Sequence, residues 1–287
     1  MIVVTGATGK LGSRIVDRLL RRVPADQIGV SIRDTSKMTH LAAEGVRVRR
    51  GDYDDPASLT DAFADADQVL IVSAGATGAE AMQHHIAAVD AARDAGARRV
   101  LYTSHMASAP DSVFAPMPDH AATERYLAAS GIPYTAFRNG FYASTVPLLL
   151  GGALQTGELV APADGPVSWT NHDDLAEAAV IALVDEGRLD GATPPLTAPD
   201  AHDLDDIAAI LSELTGRTIR RVVVDDDEWV RGLIGRGVPE GPARMLMGMF
   251  LAARRGEFAA TDPTLERLLG HPAQSIRTVL GGVVSGS

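Results

Sequence analysis

The sequence predicts a doubly wound, parallel α/β sheet with a smaller C-terminal α/β lobe. Three observations predict this class: short apolar runs alternate with segments of helical periodicity, a glycine-rich turn directly follows the first run, and the regular alternation stops after the sixth run. The 287 residues suit one large α/β domain or one and a half domains, with an ample core.

The first strand leads directly into the glycine-rich turn of residues 6–12. The apolar start of the chain predicts a buried strand, and apolar residues at helical spacing predict a helix over about Lys10–Arg22. The glycines follow the pattern G-x-x-G-x-x-G. Gly6 permits a tight turn, Gly9 lets the backbone approach a pyrophosphate, and Gly12 lets the helix pack closely on the sheet.

This arrangement is typical of a Rossmann-type dinucleotide-binding fold. The helix N-terminus presents free N–H groups and a positive dipole end to a phosphate. An ordinary glycine-rich turn is the alternative. We predict that the cofactor is bound by the loop residues Gly6, Ala7, Thr8, Gly9, Lys10 and Leu11.

The end of the second predicted strand, residues 27–33, indicates which nicotinamide cofactor binds. An acidic residue here would accept hydrogen bonds from the ribose 2′-hydroxyl, whereas an arginine accommodates a 2′-phosphate. The position holds Arg33, with Lys37 four residues later, so two cations favour NADP(H). Asp34 complicates this prediction, and a solvated charged loop is the alternative.

Four more strands complete the predicted sheet, with the order 3-2-1-4-5-6. Helices over about 56–64, 79–95 and 119–130 connect them. The strands cover residues 46–50, 68–73, 99–104 and 133–138.

The carboxyl ends of these strands supply further cofactor candidates. Asp52 and Tyr53 follow the third strand and should lie near the adenine, although a turn aspartate is almost as good an interpretation of Asp52. Ser73 and Ala74 should face the ribose and pyrophosphate. Ser104 ends the fifth strand and is placed for the ribose or nicotinamide, with a strand-end cap as the alternative.

Two segments between these strands, the histidine pair at 84–85 and the loop over 105–118, lead to separate predictions. His84 and His85 are adjacent on a helix, so they point in different directions; we predict surface or interface residues and no metal pair. The loop over 105–118 is long for an α/β connection, and such loops often cover sites.

The remainder of the chain predicts a lobe wrapped onto the cofactor domain. We expect residues 1–138 to form the NADP-binding domain, with about 166–190 packing back on it, and residues 139–287 to form mostly a smaller substrate-binding lobe. Its predicted elements are a helix over about 143–152, strands near 158–160 and 167–169, a helix capped by Asp173 and Asp174, a helix over 204–215 capped by Asp203, a strand over 218–224, and short amphipathic helices from 225 to 284.

The composition limits which partners the protein could bind and which compartments would suit it. The net charge of −11 argues against a nucleic-acid surface, and no apolar run reaches the length of a membrane span. The chain has no cysteine, which removes disulfides and thiolate sites and is compatible with the cytoplasm. We expect no metal site, and a homodimer is left open.

The glycine spacing resembles the extended short-chain dehydrogenases, but their Tyr-x-x-x-Lys pair is missing. Where that pair belongs, the helix before the sixth strand holds His120-Ala121-Ala122-Thr123-Glu124. Tyr134 and Arg138 have similar spacing but lie within the sixth strand, where core packing explains the tyrosine.

Several segments together resemble the NmrA-like atypical short-chain dehydrogenases, and in particular their bacterial NADPH-dependent quinone reductases and triphenylmethane dye reductases. These segments are residues 5–12, Arg33, residues 102–104, His120-x-x-Thr123-Glu124, residues 134–142 with their Arg-Asn-Gly-x-Tyr run, and residues 268–272.

This resemblance implies NADPH preference, a two-lobed fold with a cleft, and hydride transfer to quinone-like acceptors. Asn171 departs from the pattern because related quinone reductases tend to have arginine there, which puts any pocket contact from this position in doubt.

Candidate residues near the reacting atoms follow the sixth strand. We assign Arg138, Asn139 and Gly140 to the cofactor, and Phe141 and Tyr142 to the acceptor. An aromatic pair at a cleft mouth can stack on a flat quinone, and inter-lobe packing is an equal alternative for Phe141.

The candidate for catalysis is His120, because imidazole titrates near neutrality and could protonate the acceptor. His120 and Glu124 could equally form a surface pair, or Glu124 could hold the nicotinamide-side loop. A quinone needs no strong general acid, since its reduced oxygens can take protons from water.

The predicted function is NADPH-dependent reduction of quinones or similar flat conjugated acceptors. The alternative is a redox sensor of the NmrA type that binds NADP(H) without turnover and signals to a protein. A sugar-nucleotide epimerase would need the missing Tyr-x-x-x-Lys pair.

Overall fold

The computed structural model describes residues 1–286, and its main sheet has seven parallel strands. These seven strands are β1 (Ile2–Thr5), β2 (Ile28–Ile32), β3 (Arg47–Arg50), β4 (Gln68–Ile71), β5 (Arg99–His105), β6 (Tyr134–Asn139) and β10 (Gly191–Ala192). Two further pairs of parallel strands lie outside this sheet: β7 (Phe141–Tyr142) with β9 (Trp169–Thr170), and β8 (Glu158–Pro162) with β11 (Arg220–Val224).

Helices cover both faces of this sheet and build most of the second lobe. They are α1 (Lys10–Leu19), α2 (Thr39–Ala43), α3 (Pro56–Phe63), α4 (Ala79–Asp94), α5 (Pro116–Ala129), α6 (Val146–Leu149), α7 (Ala153–Thr156), α8 (His172–Val184), α9 (Leu204–Thr215), α10 (Asp226–Gly235), α11 (Glu240–Arg254), α12 (Thr264–Leu269) and α13 (Ile276–Ser285). Among residues 1–286, no helix is both long and apolar enough to cross a membrane.

The strand order β3-β2-β1-β4-β5-β6 confirms the predicted doubly wound topology. One strand of the main sheet was not predicted: β10 adds in parallel to the edge of β6, pairing Gly191 with Thr135. It is two residues long and carries no apolar run, so periodicity gives no signal for it. All carboxyl ends of the parallel strands lie at one edge, where this fold binds its ligands.

Two hydrophobic clusters lie on the faces of the sheet, and a third fills the second lobe. The cluster on the α1 face includes Leu175 and Leu183 of α8, so this later helix packs back on the sheet. Ion pairs from Arg18 to Asp173 (2.7 Å) and from Arg22 to Glu177 reinforce the contact between α1 and α8. The cluster on the α1 face also contains Leu196, Leu265, Leu268 and Ala273, so later parts of the chain than residues 166–190 pack on the sheet as well.

Several predicted element boundaries were wrong for local reasons. Helix α5 begins at Pro116 and not at Asp119, because proline is well tolerated in a first helical turn. The predicted helix over 143–152 is broken into a 3₁₀ turn, α6 and α7, because Gly151 adopts a left-handed φ of 52°. Helix α1 ends at Leu19 and not at Arg22.

The predicted cap of α8 was wrong, and the predicted cap of α9 is confirmed. Asn171 and not Asp173 or Asp174 caps α8, since its side chain accepts a 2.8 Å hydrogen bond from the Asp173 amide. Asp203 caps α9 as predicted, in a reciprocal capping box with Asp206.

Candidate cofactor and active site

The glycine loop brings the N-terminus of α1 to the ligand edge of the sheet. Gly6 has a left-handed φ of 61°, and its carbonyl accepts a 2.9 Å hydrogen bond from the Gly9 amide. A Cβ at Gly12 would lie 2.3 Å from the Gly6 oxygen, so only glycine permits this approach. The first turn of α1 has no side-chain cap and no acidic residue, which leaves its N–H groups for an anion.

A cleft of about 630 Å³ opens beside this loop. Ala7 and Leu11 have buried side chains, so only their backbone atoms could contact a ligand. Gly9 and Lys10 lie exposed at the start of α1. The predicted residues that line the cleft are Gly6, Thr8, Arg33, Asp52, Tyr53, Ser73 and Ala74, and they are joined there by Lys37.

The charges at the end of β2 favour a phosphate. Arg33 and Lys37 are exposed and line the cleft, and among residues 1–286 neither forms an ion pair within 4 Å. Asp34 is tied back into its own turn, accepting from the Ser36 amide (3.1 Å) and hydroxyl (2.6 Å). These hydrogen bonds from Ser36 lower the pKa of Asp34. One oxygen of the carboxylate that complicated the NADP prediction is therefore held within its own turn.

Tyr53 ties three strand ends together at the base of the cleft. Its hydroxyl donates to the Val72 carbonyl (2.8 Å) and lies 2.8 Å from the Thr5 hydroxyl. The Val72 amide in turn donates to Thr5 Oγ1 (2.8 Å). Burial raises the pKa of Tyr53 to about 12, so the phenol stays protonated. Because the hydroxyl is fully used, a bound ligand can meet only the ring.

Asp52 lies half-buried in the same cleft. Its carboxylate accepts from the Asp54 amide (3.3 Å) and lies 3.8 Å from the Arg50 guanidinium. This is the turn interaction anticipated as the alternative, and it leaves acceptor capacity for an adenine amino group.

The ends of β5 and β6 meet at a buried carboxylate. Glu124 on α5 accepts from the Ser104 hydroxyl (2.6 Å) and pairs through both oxygens with Arg138 (2.7 and 3.1 Å). The single hydroxyl proton of Ser104 is thus given to the Glu124 side chain. Neither Ser104 nor Arg138 lines the described cleft.

Asn139 and Gly140 are buried where β6 joins the second lobe. The Asn139 carbonyl accepts from the Met106 amide (2.8 Å), and the Gly140 amide donates to the Leu196 carbonyl (2.8 Å). A Cβ at Gly140 would lie 2.1 Å from Thr170 Oγ1 and 3.0 Å from the Leu196 oxygen. Close backbone packing therefore accounts for this glycine.

Gly140→Ala is expected to destabilise the fold by about 1–3 kcal/mol, the usual range for overpacking. The added methyl would collide with Thr170 and with a backbone carbonyl that cannot rotate away. Urea unfolding measures the change. Gly281→Ala is the control, because nothing lies within 4 Å of that Cβ and helix propensity favours alanine. Equal stability of the two variants would contradict the packing argument.

The two residues predicted to contact the acceptor, Phe141 and Tyr142, lie in different surroundings in the structure. Phe141 is 7% exposed and lies in an aromatic cluster, with ring centroids 4.9 Å from Phe258, 5.4 Å from Trp169 and 5.9 Å from Phe114. This is the inter-lobe packing named as the alternative to stacking on a quinone. Tyr142 is half-buried against His172, with ring centroids 4.3 Å apart, and burial raises its pKa.

The histidine predictions need one correction. His85 is not a surface residue: it is 2% exposed, and its Nε2 accepts from the Ala74 amide (3.0 Å) at the cleft. His84 forms a 2.7 Å contact with Asp54. His120 is half-buried and hydrogen-bonded through Nδ1 to the Tyr102 hydroxyl (2.8 Å). Burial lowers the pKa of His120 to about 4, so the ring is neutral at neutral pH and is not a cationic acid.

Sequence reasoning missed Tyr102 as a member of this site. The available signal was its position two residues before Ser104, which places both side chains on one face of β5. The partner of a buried tyrosine hydroxyl cannot be read from spacing along the chain.

Acid should destabilise the protein below the ordinary pKa of histidine. Burial lowers the pKa values of four histidines to about 3 or 4, so below about pH 6.5 the unfolded chain binds more protons than the folded one, and stability falls as pH falls. We expect a loss of about 1 kcal/mol per histidine between pH 6.5 and 5, by unfolding in urea. These residues are His85, His105, His120 and His172. A flat profile over this window would contradict their burial in the neutral form.

The sheet order, the uncapped α1 and the cleft that holds Arg33 and Lys37 define a dinucleotide-binding α/β protein. The NmrA-like family model matches residues 1–278. Quinone oxidoreductase 2 of Escherichia coli is 34% identical over 277 residues, covering 96% of each chain. NAD(P)H azoreductase of Xenophilus azovorans is 29% identical over 278 residues, covering 96% of this chain and 95% of the relative.

Solved structures agree with this assignment. The E. coli NADPH-dependent quinone oxidoreductase complexed with NADPH superposes with a TM-score of 0.92 and 31% identity, covering 99% of this chain and 100% of the other. The triphenylmethane reductase of Citrobacter sp. gives a TM-score of 0.91 and 32% identity, covering 99% of each chain. The chain belongs to the NmrA-like family.

Proposed function

We propose that this protein is an NADPH-dependent oxidoreductase that transfers a hydride to quinones or similar flat conjugated acceptors. The proposal that the cofactor is NADPH is supported by one observation. A single cleft lies beside an uncapped helix N-terminus and holds two cations that form no ion pair within residues 1–286, Arg33 and Lys37. The acceptor half is supported by the relatives, which are named for reduction of quinones, azo compounds and triphenylmethane dyes.

The cleft fits the cofactor on structural grounds. The Gly6–Gly12 contact leaves no room for side chains at the turn, and the free N–H groups of α1 suit a pyrophosphate. Arg33 and Lys37 would hold a 2′-phosphate, and Asp52 would accept from the adenine. When bound, NADPH supplies the hydride, so that NADPH, a proton and a quinone give NADP⁺ and a hydroquinone.

The remaining task of the protein is to orient the acceptor and stabilise the charge that develops on its oxygen. His120 is the proposed donor, as a neutral imidazole offering a hydrogen bond and not as an imidazolium. The proton that completes the hydroquinone comes from water. This division of work needs no Tyr-x-x-x-Lys pair.

The test is NADPH oxidation, followed by absorbance, against a panel of quinones, azo dyes and triphenylmethane dyes, with NADH as the matched control. We expect saturable turnover that prefers NADPH. Tight NADPH binding without turnover on any acceptor would overturn the proposal and support the NADP(H)-binding regulator instead.

His120→Ala is expected to lower kcat by about 10- to 100-fold and to leave the Kd for NADPH within about twofold, since one charge-stabilising donor is lost. His120→Gln should recover part of this loss, because an amide N–H can still donate. His271→Gln, at an exposed position, is the control. A kcat for His120→Ala equal to that of the control would remove His120 from the mechanism.

We also propose a cytoplasmic location, with which the acidic, cysteine-free composition is compatible. Cell fractionation tests the location, and sedimentation tests whether the protein forms a homodimer.

A further inference from the structure

A buried hydrogen-bonded chain links the cofactor cleft to His120. It runs from the Ala74 amide to His85 Nε2 (3.0 Å), and Tyr102 bridges the two imidazoles, with its hydroxyl 3.4 Å from His85 Nδ1 and 2.8 Å from His120 Nδ1. Thr123 of α5 supports it from the side, 2.9 Å from His85 Nδ1. The direction of each bond follows from counting protons.

His85 must carry its proton on Nδ1. The Ala74 amide can only donate, so His85 Nε2 is the acceptor and holds no proton. The single proton of the Thr123 hydroxyl goes to the Asp119 carbonyl (2.8 Å), so Thr123 Oγ1 accepts from His85 Nδ1. Both nitrogens of a neutral ring are then satisfied.

The direction of the Tyr102 bond follows from this assignment. Because His85 Nδ1 is a donor, the Tyr102 hydroxyl cannot donate to it. Its shortest contact, 2.8 Å, is with His120 Nδ1, and we assign the Tyr102 proton to that bond. His120 therefore holds its own proton on Nε2. Within residues 1–286 this Nε2 has no hydrogen-bond partner, and the ring is half-exposed. Burial lowers the pKa of both histidines and raises that of Tyr102, which keeps all three groups neutral.

The same chain is anchored at the cofactor site. Ala74 lines the cleft at the end of β4, and Tyr102 lies on the neighbouring strand β5. The Asp119 carboxylate of α5 also holds the cleft loop, accepting from the Gly78 amide (2.6 Å). The helix that carries His120 is thus joined to the β4–α4 loop directly through Asp119 and indirectly through Thr123 and His85.

We propose that His85 and Tyr102 are positioning residues that fix His120 as the Nε2–H tautomer and hold this donor in register with the cofactor loop. The acceptor side of this inference rests on the proposed function. His120 donates a hydrogen bond to the acceptor oxygen as negative charge develops there, and it keeps its proton throughout; solvent water protonates the product. A network that only stabilised the core would not need one particular tautomer at the half-buried ring of His120.

The tautomers can be measured without turnover. In protein labelled with ¹⁵N-histidine, two-bond ¹H–¹⁵N spectra separate protonated from bare ring nitrogens, and His85→Gln and His120→Gln spectra assign the signals. We expect His85 protonated on Nδ1 and His120 on Nε2. A His120 signal protonated on Nδ1, or averaged between both forms, would overturn the inference.

Tyr102→Phe tests the positioning role. It removes one hydroxyl from a buried ring, so we expect an averaged His120 signal, a kcat about tenfold lower and an NADPH KM within twofold. Tyr126→Phe on α5, the helix that carries His120, is the matched control, because the Tyr126 hydroxyl bonds to Asp90 away from the network. His85→Leu should change kcat and NADPH KM together, since it also frees Ala74.

The experiments distinguish failure of the proposed function from failure of the positioning role. Absence of turnover in the unmodified protein would overturn the proposed function, and the catalytic part of this inference with it. Normal turnover in the unmodified protein together with a Tyr102→Phe kcat within twofold would overturn the positioning role alone.

Discussion

Arg33→Ala is expected to weaken NADPH binding by about 10- to 100-fold while NADH binding changes by less than twofold, the range for losing a charge-assisted phosphate contact. Arg33 and Lys37 line the cleft without a carboxylate partner, and Asp34 is occupied by Ser36. A guanidinium that has no partner in the protein is available to a 2′-phosphate, which NADH lacks.

Calorimetric titration of both cofactors measures this selectivity. Arg21→Ala is the matched control, because Arg21 is an exposed arginine at the far end of α1. Lys37→Ala should show the same selectivity with a smaller effect, since ammonium is a point charge and not a bidentate fork. An equal loss for NADPH and NADH on Arg33→Ala would show that Arg33 contacts a part common to both cofactors.

Gly12→Ala is the second large effect, and it should cost both stability and cofactor binding. The new Cβ would lie 2.3 Å from the Gly6 oxygen and 2.8 Å from its carbonyl carbon, so the turn or the helix must move. We expect a destabilisation of about 1–3 kcal/mol in urea, with NADPH binding weakened beyond about tenfold as the loop is displaced.

Gly9→Ala is the control that separates the two roles. Its Cβ would meet only the Gly6 oxygen at 3.3 Å, and its φ of −82° is ordinary for alanine. We expect near-normal stability with weakened NADPH binding, because the methyl would face the pyrophosphate. Equal destabilisation by the two substitutions would contradict the assignment of packing to Gly12 and ligand approach to Gly9.

The strand order and the glycine loop could be predicted because they depend on local signals. Apolar runs of strand length, helical periodicity and a G-x-x-G-x-x-G turn are properties of neighbouring residues. The cation at the end of β2 could also be predicted from neighbouring residues, because the strand that precedes Arg33 fixes its position. The cap at Asp203 was predicted for the same reason.

The features that escaped prediction depend on contacts between distant segments. The Ser104–Glu124–Arg138 cluster joins β5, α5 and β6, and nothing in the spacing of these residues states that they share a carboxylate. His85 looked like a surface residue because helix periodicity does not reveal that α5 covers it. Phe141 was a candidate for stacking on the acceptor because the sequence does not reveal that Phe114 and Phe258, from distant segments, pack against its ring.

The most direct test of the central claim is an anaerobic single-turnover reaction between the protein–NADPH complex and a para-quinone. We expect NADPH to be oxidised faster than in the protein-free mixture, with one hydroquinone formed per NADPH and a primary isotope effect when C4 of the dihydronicotinamide carries deuterium. Oxidation no faster than in the protein-free mixture, despite saturated NADPH binding, would contradict it.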